Sequence, residues 1–221
     1  VSEMVPAAGG RHLDVATGTA DMALEILRQK GSASVAGADI SLRDDMGYAA
    51  VIVYSYPELR EIERASAVGA ITFPYVPGLL SFREVPLLLQ AIGKLTTRPD
   101  LILVDGQGIA HPRRAGLACF LGLALDTPTI GCAKSLLIGE YKMPATRRGS
   151  TAPLLQGRER IGTVLRTRDG VSPLFISIGH RVSLRTAVKL VLACGSGYRL
   201  PKPQREADLW TKQLRVPVPR A

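Results

Sequence analysis

The chain has 221 residues, 46% hydrophobic and 21% charged, which fits one globular domain with a buried core and excludes a disordered chain. Its 28 Lys and Arg residues outnumber 19 Asp and Glu residues, and the net charge of +9 favours a polyanion, nucleic acid first, as the partner. No apolar stretch is long enough to span a bilayer and the first residues lack a secretory signal, so we expect no membrane partner and a cytoplasmic location.

The first predicted elements lie in the stretch LDVATGTADMAL, residues 13–24. An apolar strand, an acidic residue and a glycine-containing turn precede a helix there, as in folds that bind a nucleotide-like cofactor. The helix is predicted over residues 19–31, with a threonine cap and a glycine stop.

Short runs rich in β-branched and aromatic residues predict a meander of three antiparallel strands joined by polar turns, over residues 34–42, 48–59 and 61–73. The pattern then changes to helix, strand, helix, strand, which implies a parallel crossover; these elements are predicted at residues 79–95, 100–108, 113–125 and 129–134.

The last third of the chain begins with a predicted loose turn over residues 143–157. Another strand pair and two closing helices follow, predicted at residues 161–167, 172–181, 183–194 and 204–214. The full order predicts an α/β fold: a ribonuclease-H-like mixed sheet, with an antiparallel meander followed by parallel strands and helices on both faces.

Three cysteines, Cys119, Cys132 and Cys194, are widely spaced among apolar or small residues. This pattern indicates reduced, buried thiols rather than a disulfide framework or a zinc site.

Carboxylates stand at positions that a metal site would use. Asp105 ends the apolar run LILV, where an open α/β sheet holds ligands at its carboxyl edge, although an aspartate that caps a turn is the alternative for an isolated VDG. Asp39 lies within the first predicted strand of the meander, where burial is costly without a cationic partner, and Glu84 begins a helix. Hard carboxylates that converge at one sheet edge describe a Mg²⁺ site for phosphodiester hydrolysis.

Six motifs add a resemblance that covers about residues 35–214. They are AGADIS, ITFPYVPGLLSFRE, VDGQGIAHPRR, PTIGCAKS, SIGHRVS and YRLPKPQREAD. In this order and spacing the chain resembles the endonuclease V family, repair nucleases that act at deoxyinosine.

The resemblance implies a catalytic set. Asp39, Asp105 and Glu84 match the family's metal-binding acids, and Asp208 matches a further acid or histidine at the catalytic centre. Lys134 matches a lysine near the scissile phosphate, where it would offset charge in the transition state. A site histidine is matched by His111, whereas His180 matches the family but is equally explained as a structural residue.

The resemblance also implies nucleic-acid contacts. Tyr75, braced by Pro74 and Pro77, matches a strand-separating wedge; the alternative is a surface turn with a buried tyrosine. The remaining matches are pocket-lining positions for the flipped-out hypoxanthine, namely Gly78, Leu80 and Gly106, and basic neighbours, namely Arg83 and Arg199.

The implied activity is that of a Mg²⁺-dependent endonuclease, with Mn²⁺ as the expected substitute. It would bind inosine-containing DNA, with single-stranded RNA as a second substrate left open. It would hydrolyse the second phosphodiester bond 3′ to the lesion, leaving a 3′-hydroxyl and a 5′-phosphate, and act as a monomer. The alternative is an inosine-binding module with impaired cleavage.

The opening segment departs from this family. It resembles the first motif of class I methyltransferases of the quinone-biosynthesis type, with Gly18 at the turn and Asp39 as the ribose-binding acid. This likeness supplies one strand, one helix and one more strand, whereas a complete cofactor-binding sheet needs further βα units. We therefore divide the chain into an atypical segment, residues 1–34, and an endonuclease V domain, residues 35–221, and expect no S-adenosylmethionine site; a methyltransferase remains the weaker alternative.

Overall fold

The computed structural model describes residues 33–215, which form eight strands and four helices. The predicted helix over residues 19–31 and the methyltransferase-like segment before it lie outside the described residues. The strands are β1 Ala33–Arg43, β2 Met46–Tyr56, β3 Glu61–Ala70, β4 Leu101–Val104, β5 Thr129–Ala133, β6 Thr151–Gln156, β7 Glu159–Leu165 and β8 Leu174–His180. The helices are α1 Leu80–Ile92, α2 Leu117–Leu125, α3 Leu184–Ala193 and α4 Lys202–Leu214.

All eight strands belong to one mixed sheet in the order β3-β2-β1-β4-β5-β8-β7-β6. The meander β1-β2-β3 is antiparallel, β1, β4 and β5 run parallel, and β5-β8-β7-β6 is antiparallel again. The predicted meander, the parallel crossover and the strand pair β7-β8 are therefore confirmed.

The loose turn predicted over residues 143–157 is wrong in its second half, because β6 lies there. A proline such as Pro153 is more typical of a turn than of a strand, because it cannot donate a backbone hydrogen bond. However, β6 is the last strand of the sheet, and an edge strand tolerates a proline because one side of its backbone has no neighbouring strand. Ala152 and Leu154 point to the core, which gives β6 the alternating burial of an edge strand.

Helices cover both faces of the sheet, as predicted. On one face Val35 of β1 and Leu103 of β4 pack with α3 in a single core cluster. On the other face Ala36 of β1 and Val104 of β4 pack with α1 and α2. Burial on both faces explains why β1 and β4 read as nearly continuous apolar runs.

The C-terminal helix α4 lies directly on β1 because Gly37 has no side chain. A Cβ atom at Gly37 would lie 2.0 Å from the carbonyl oxygen of Pro203, so no larger residue fits without moving the helix. Gln204 fixes the same end of α4 by donating from Nε2 to the carbonyl of Cys132 in β5, at 2.7 Å. The close approach sets the position of every later residue of α4 over the sheet.

All three cysteines are free thiols, as the sequence predicted. Cys132 and Cys194 are buried, whereas Cys119 is half-buried. Within residues 33–215, no helix has both the length and the apolar character needed to cross a bilayer.

Replacing Gly37 with alanine tests the contact between β1 and α4. The new Cβ overlaps backbone atoms, which cannot rotate away, so we expect a loss of about 3 kcal/mol or more in the free energy of unfolding. In a thermal melt, about 3 kcal/mol corresponds to a fall in Tm of roughly 6–12 °C. Gly69→Ala in β3 is the matched control, because its Cβ would meet only a side-chain atom of Leu87 at 3.4 Å; equal Tm values for the two variants would contradict the proposed contact.

Candidate active site

Three carboxylates converge at one end of the sheet. Asp39 belongs to β1, Asp105 follows the parallel neighbour β4, and Asp208 comes from α4. The backbone N–H of Asp105 donates to the carbonyl of Ala38 at 3.0 Å, which ties the end of β4 to β1. One oxygen from each carboxylate lies within 4.8 Å of the other two, so this trio could hold a metal ion.

The carboxyl group of Asp39 is strongly affected by its surroundings. It is only 5% exposed and accepts a hydrogen bond from Thr211 Oγ1 at 2.9 Å. Burial, and then the charge of Asp105, raises its pKa to about 7, although Lys134 and the Thr211 hydrogen bond act in the opposite direction. A second positive charge at this position would stabilise the ionised form.

Glu84 lies on the first turn of α1 and lines the same cavity, but it is not one of the three converging carboxylates. Burial raises its pKa to about 8, with further increases from Asp39 and Asp105 and a partial reversal by Arg83. Among the acids named from the sequence, the structure thus groups Asp208 with Asp39 and Asp105. Glu84 lies outside this group but close enough to interact electrostatically with Asp39 and Asp105.

Lys134 supplies the positive charge at this site. It follows β5, and its Nζ forms ion pairs with both Asp105 and Asp208. Burial lowers its pKa, but the two carboxylates outweigh burial and raise it, so the ammonium stays charged. Lys212 pairs with the other oxygen of Asp208 at 2.5 Å. Burial alone would raise the pKa of Asp208, but its hydrogen bonds to the two lysines lower it, so Asp208 stays ionised.

The carboxylates open into a cavity of about 450 Å³. Its walls include nine of the residues that the sequence singled out: Asp39, Tyr75, Gly78, Leu80, Glu84, Asp105, Gly106, His111 and Lys134. The other five, Pro74, Pro77, Arg83, Arg199 and Asp208, lie outside the cavity wall. Arg199 donates from Nη2 to the carbonyls of Lys134 and Pro173, so it fixes the end of β5.

The loop that carries Tyr75 forms part of the cavity rim. Tyr75 is 68% exposed, so the alternative of a buried tyrosine in a surface turn is wrong. Pro74 and Pro77 are exposed on either side of it. The guanidinium of Arg83 lies 5.9 Å from the centroid of the Tyr75 ring and 3.6 Å from the carboxylate of Asp45.

The two histidines in the described part of the chain lie at different ends of the sheet. His111 lines the cavity and is 8% exposed; burial, and then the charge of Arg113, lowers its pKa, which favours the neutral ring. Its Nδ1 accepts a hydrogen bond from the backbone N–H of Arg113 at 3.2 Å. His180 ends β8 opposite Thr129, where β5 begins, and bonds to Asp126, so it is outside the site.

Comparison with known proteins identifies the family. The endonuclease V family model matches residues 19–209. Endonuclease V of Roseiflexus castenholzii is 49% identical over 184 residues, 83% of each chain. The chain belongs to the endonuclease V family.

Solved structures of endonuclease V share this fold, so the predicted ribonuclease-H-like class is confirmed. Because the chain belongs to a nuclease family, the protein is a nuclease. The crystal structure from Streptomyces avermitilis matches with a TM-score of 0.80 at 40% identity, covering 95% of this chain and 96% of that one. Endonuclease V of Ciona intestinalis, in complex with a 23mer DNA containing an inosine followed by a ribo-adenosine, matches with a TM-score of 0.72 at 27% identity, covering 83% and 86% of the two chains.

Two residues of this endonuclease V site were missed from the sequence. Thr211 bonds to Asp39 and lies one helical turn after Asp208, a spacing that could have revealed it once α4 was placed at the site. Gln107, two residues after Asp105, donates from Nε2 to the carbonyl of Ser135 at 3.1 Å and lines the cavity. Its position in VDGQG was the available signal.

The raised pKa of Asp39 predicts a pH-dependent stability in chelator-containing buffer. Because the folded-state pKa of about 7 exceeds the ordinary 3.8, this group stabilises the fold fully below about pH 4, and the contribution is lost as the pH rises through 7. Asp39→Asn removes that loss. The free energy of unfolding of the variant, relative to wild type, should therefore rise by about 2–4 kcal/mol between about pH 4 and about pH 8, as measured by urea unfolding.

Asp44→Asn, at an exposed turn between β1 and β2, is the control and should show no such trend. If the difference between Asp39→Asn and wild type is the same at both pH values, the carboxyl group of Asp39 is not destabilised by burial and by its acidic neighbour.

Proposed function

We propose that this endonuclease recognises deoxyinosine in DNA and hydrolyses the second phosphodiester bond 3′ to the lesion, leaving a 3′-hydroxyl and a 5′-phosphate. The observation that carries the proposal is the convergence of Asp39, Asp105 and Asp208 beside Lys134, in a cavity whose rim bears the exposed ring of Tyr75. The DNA bound by the Ciona intestinalis relative contains an inosine, which supports the same lesion as the substrate here.

The donor set fits a hard divalent cation. Carboxylate oxygens are the ligands that Mg²⁺ prefers. Burial, and then the charge of Asp105, raises the pKa of Asp39, and a bound cation would stabilise its ionised form. We assign Asp39 and Asp105 as direct ligands. Both oxygens of Asp208 are already paired with Lys134 and Lys212, so we assign Glu84, which lines the same cavity, as the third ligand, with Mn²⁺ as a substitute for Mg²⁺. When bound, the ion would supply an activated water and stabilise the leaving oxygen.

Lys134 has the electrostatic role in the proposed reaction. Its ammonium stands at the cavity wall and is aimed by its ion pairs with Asp105 and Asp208. A fixed positive charge at that position offsets the charge that develops on the phosphate in the transition state. His111 is neutral and its Nδ1 accepts a hydrogen bond, so its other ring nitrogen, Nε2, carries the proton and can donate a hydrogen bond into the cavity.

The cavity and its rim have the parts that recognition of an extruded base requires. Tyr75, stiffened by Pro74 and Pro77, would enter the base stack as the wedge that separates the strands. The cavity volume of about 450 Å³ is within the range of small-molecule pockets, and Gly78, Leu80 and Gly106 line it. We assign the flipped-out hypoxanthine to this space, and Arg83 and Arg199 to the surrounding basic contacts.

We propose that residues 35–221 form the nuclease unit and that it acts as a monomer. Its substrates would be inosine in DNA and also inosine in single-stranded RNA. The alternative, a binding module that has lost cleavage, required that Asp39 be displaced from the site. The position of Asp39 within 4.8 Å of the other two carboxylates favours cleavage instead.

A labelled oligonucleotide with one deoxyinosine tests the proposed function. In Mg²⁺ the wild-type chain should produce one nick, at the second phosphodiester bond 3′ to the lesion, and none in the matched adenosine oligonucleotide. Asp105→Asn should abolish the nick, because it removes a proposed metal ligand. Lys134→Met should slow it by about a hundredfold or more, the usual effect of removing one group that stabilises transition-state charge.

Glu58→Gln, at an exposed turn, is the control and should nick at the wild-type rate. Equal nicking by Asp105→Asn and wild type, or gel-shift binding of the inosine oligonucleotide without any nick, would contradict the proposed reaction.

A further inference from the structure

Three phenylalanine rings in successive contact, here called the stack, connect the Tyr75 loop to two helices; the first pair is stacked and the second is tilted. Phe73 belongs to the loop, Phe82 to the first turn of α1, and Phe120 to α2. The ring centroids of Phe73 and Phe82 are 5.6 Å apart at an interplanar angle of 25°, and those of Phe82 and Phe120 are 5.2 Å apart at 56°. These separations are typical of attractive aromatic pairs.

The stack is separate from the hydrophobic core. None of its three rings belongs to the core clusters of residues 33–215, and Phe82 remains 45% exposed. A ring that serves only to stabilise the fold gains most when it is fully buried. The ring contacts of Phe82 are instead local: one is with Phe73 in the loop and the other is with Phe120 in a helix next to the cavity.

The loop is also held at its far end. Gly78 adopts a φ of +76°, a left-handed conformation that suits glycine, and its carbonyl accepts a hydrogen bond from Arg113 Nη1 at 2.8 Å. The stack fixes Phe73 before the wedge and Arg113 fixes Gly78 after it, so Tyr75 lies between two attached ends of a proline-stiffened segment.

The first turn of α1 connects this loop to the catalytic cavity. Successive residues of a helix point about 100° apart, so Phe82, Arg83 and Glu84 face three different directions. Phe82 belongs to the stack, Arg83 lies near the ring of Tyr75, and Glu84 lines the cavity beside the carboxylates. A displacement of this turn would therefore move the wedge and the cavity wall together.

We propose that Phe82 is a positioning residue: the stack of Phe73, Phe82 and Phe120 holds the Tyr75 loop in the geometry that opens a base pair. The inference rests on the proposed function, in which Tyr75 separates the strands. Insertion between bases has to offset the cost of unpairing, and a loop that is ordered before binding loses less entropy on insertion. A single-stranded substrate needs no unpairing, so its cleavage should not depend on the stack.

The test compares cleavage of double-stranded and single-stranded inosine oligonucleotides by Phe82→Leu under single-turnover conditions in Mg²⁺. Leucine keeps the apolar character but removes the ring. We expect the rate on the duplex to fall about tenfold, equivalent to about 1.4 kcal/mol, and the rate on the single strand to stay within about twofold of wild type. Phe82→Tyr keeps a ring in this half-exposed position and should restore the duplex rate.

Phe120→Leu should reproduce the same selective loss from the other end of the stack, which keeps the test valid if Phe82→Leu folds poorly. Leu123→Ala, one turn further along α2 and 71% exposed, is the matched control and should leave the ratio of the two rates unchanged. Fluorescence of 2-aminopurine beside the lesion, which rises when bases unstack, should increase less with Phe82→Leu than with wild type.

An unchanged ratio of duplex to single-strand rates in both leucine variants would overturn the role proposed for the stack while leaving the proposed function intact. Failure of the wild-type chain to nick either the duplex or the single-stranded inosine oligonucleotide would contradict the proposed function itself, and the role proposed for the stack with it.

Discussion

Three acidic side chains and one lysine share a small volume at one end of the sheet, and their charges have to balance there. Asp39, Asp105 and Asp208 repel one another at close range, and burial makes the repulsion more costly than it would be in water. Lys134 pairs with Asp105 and Asp208, whereas burial, and then the charge of Asp105, raises the pKa of Asp39. A site in this state favours a further cation.

Much of the fold serves to bring these groups together from distant parts of the chain. Parallel pairing of β1 and β4 places Asp39 beside Asp105, and β5 adds Lys134 from the next strand. The close approach at Gly37 then lets α4 deliver Asp208 onto the same edge. Helix α1 completes the arrangement, because its first turn contacts both the cavity and the loop that carries Tyr75.

The sequence predicted the sheet well where local signals agreed with the tertiary structure. The meander was readable because its strands are rich in β-branched residues and end at polar turns. Strand β6 was not predicted, because a proline such as Pro153 occurs both in turns and in edge strands. The acids and Lys134 were identified through motifs, but motifs do not give the depth of a side chain or the register of α4. The motif match placed Asp208 at the catalytic centre, but the bond from Thr211 and the stack around Phe82 depend on how helices pack on the sheet, which local sequence patterns do not encode.

The most direct test of the central claim is the affinity of the free protein for Mn²⁺, followed by the electron paramagnetic resonance signal of the unbound ion. Wild type should bind, and Asp39→Asn and Asp105→Asn should each weaken binding by at least about tenfold, because each removes one carboxylate from the group. Glu58→Gln should bind as wild type does. Equal Mn²⁺ affinity in all four proteins would contradict the claim that the converging carboxylates hold a divalent cation.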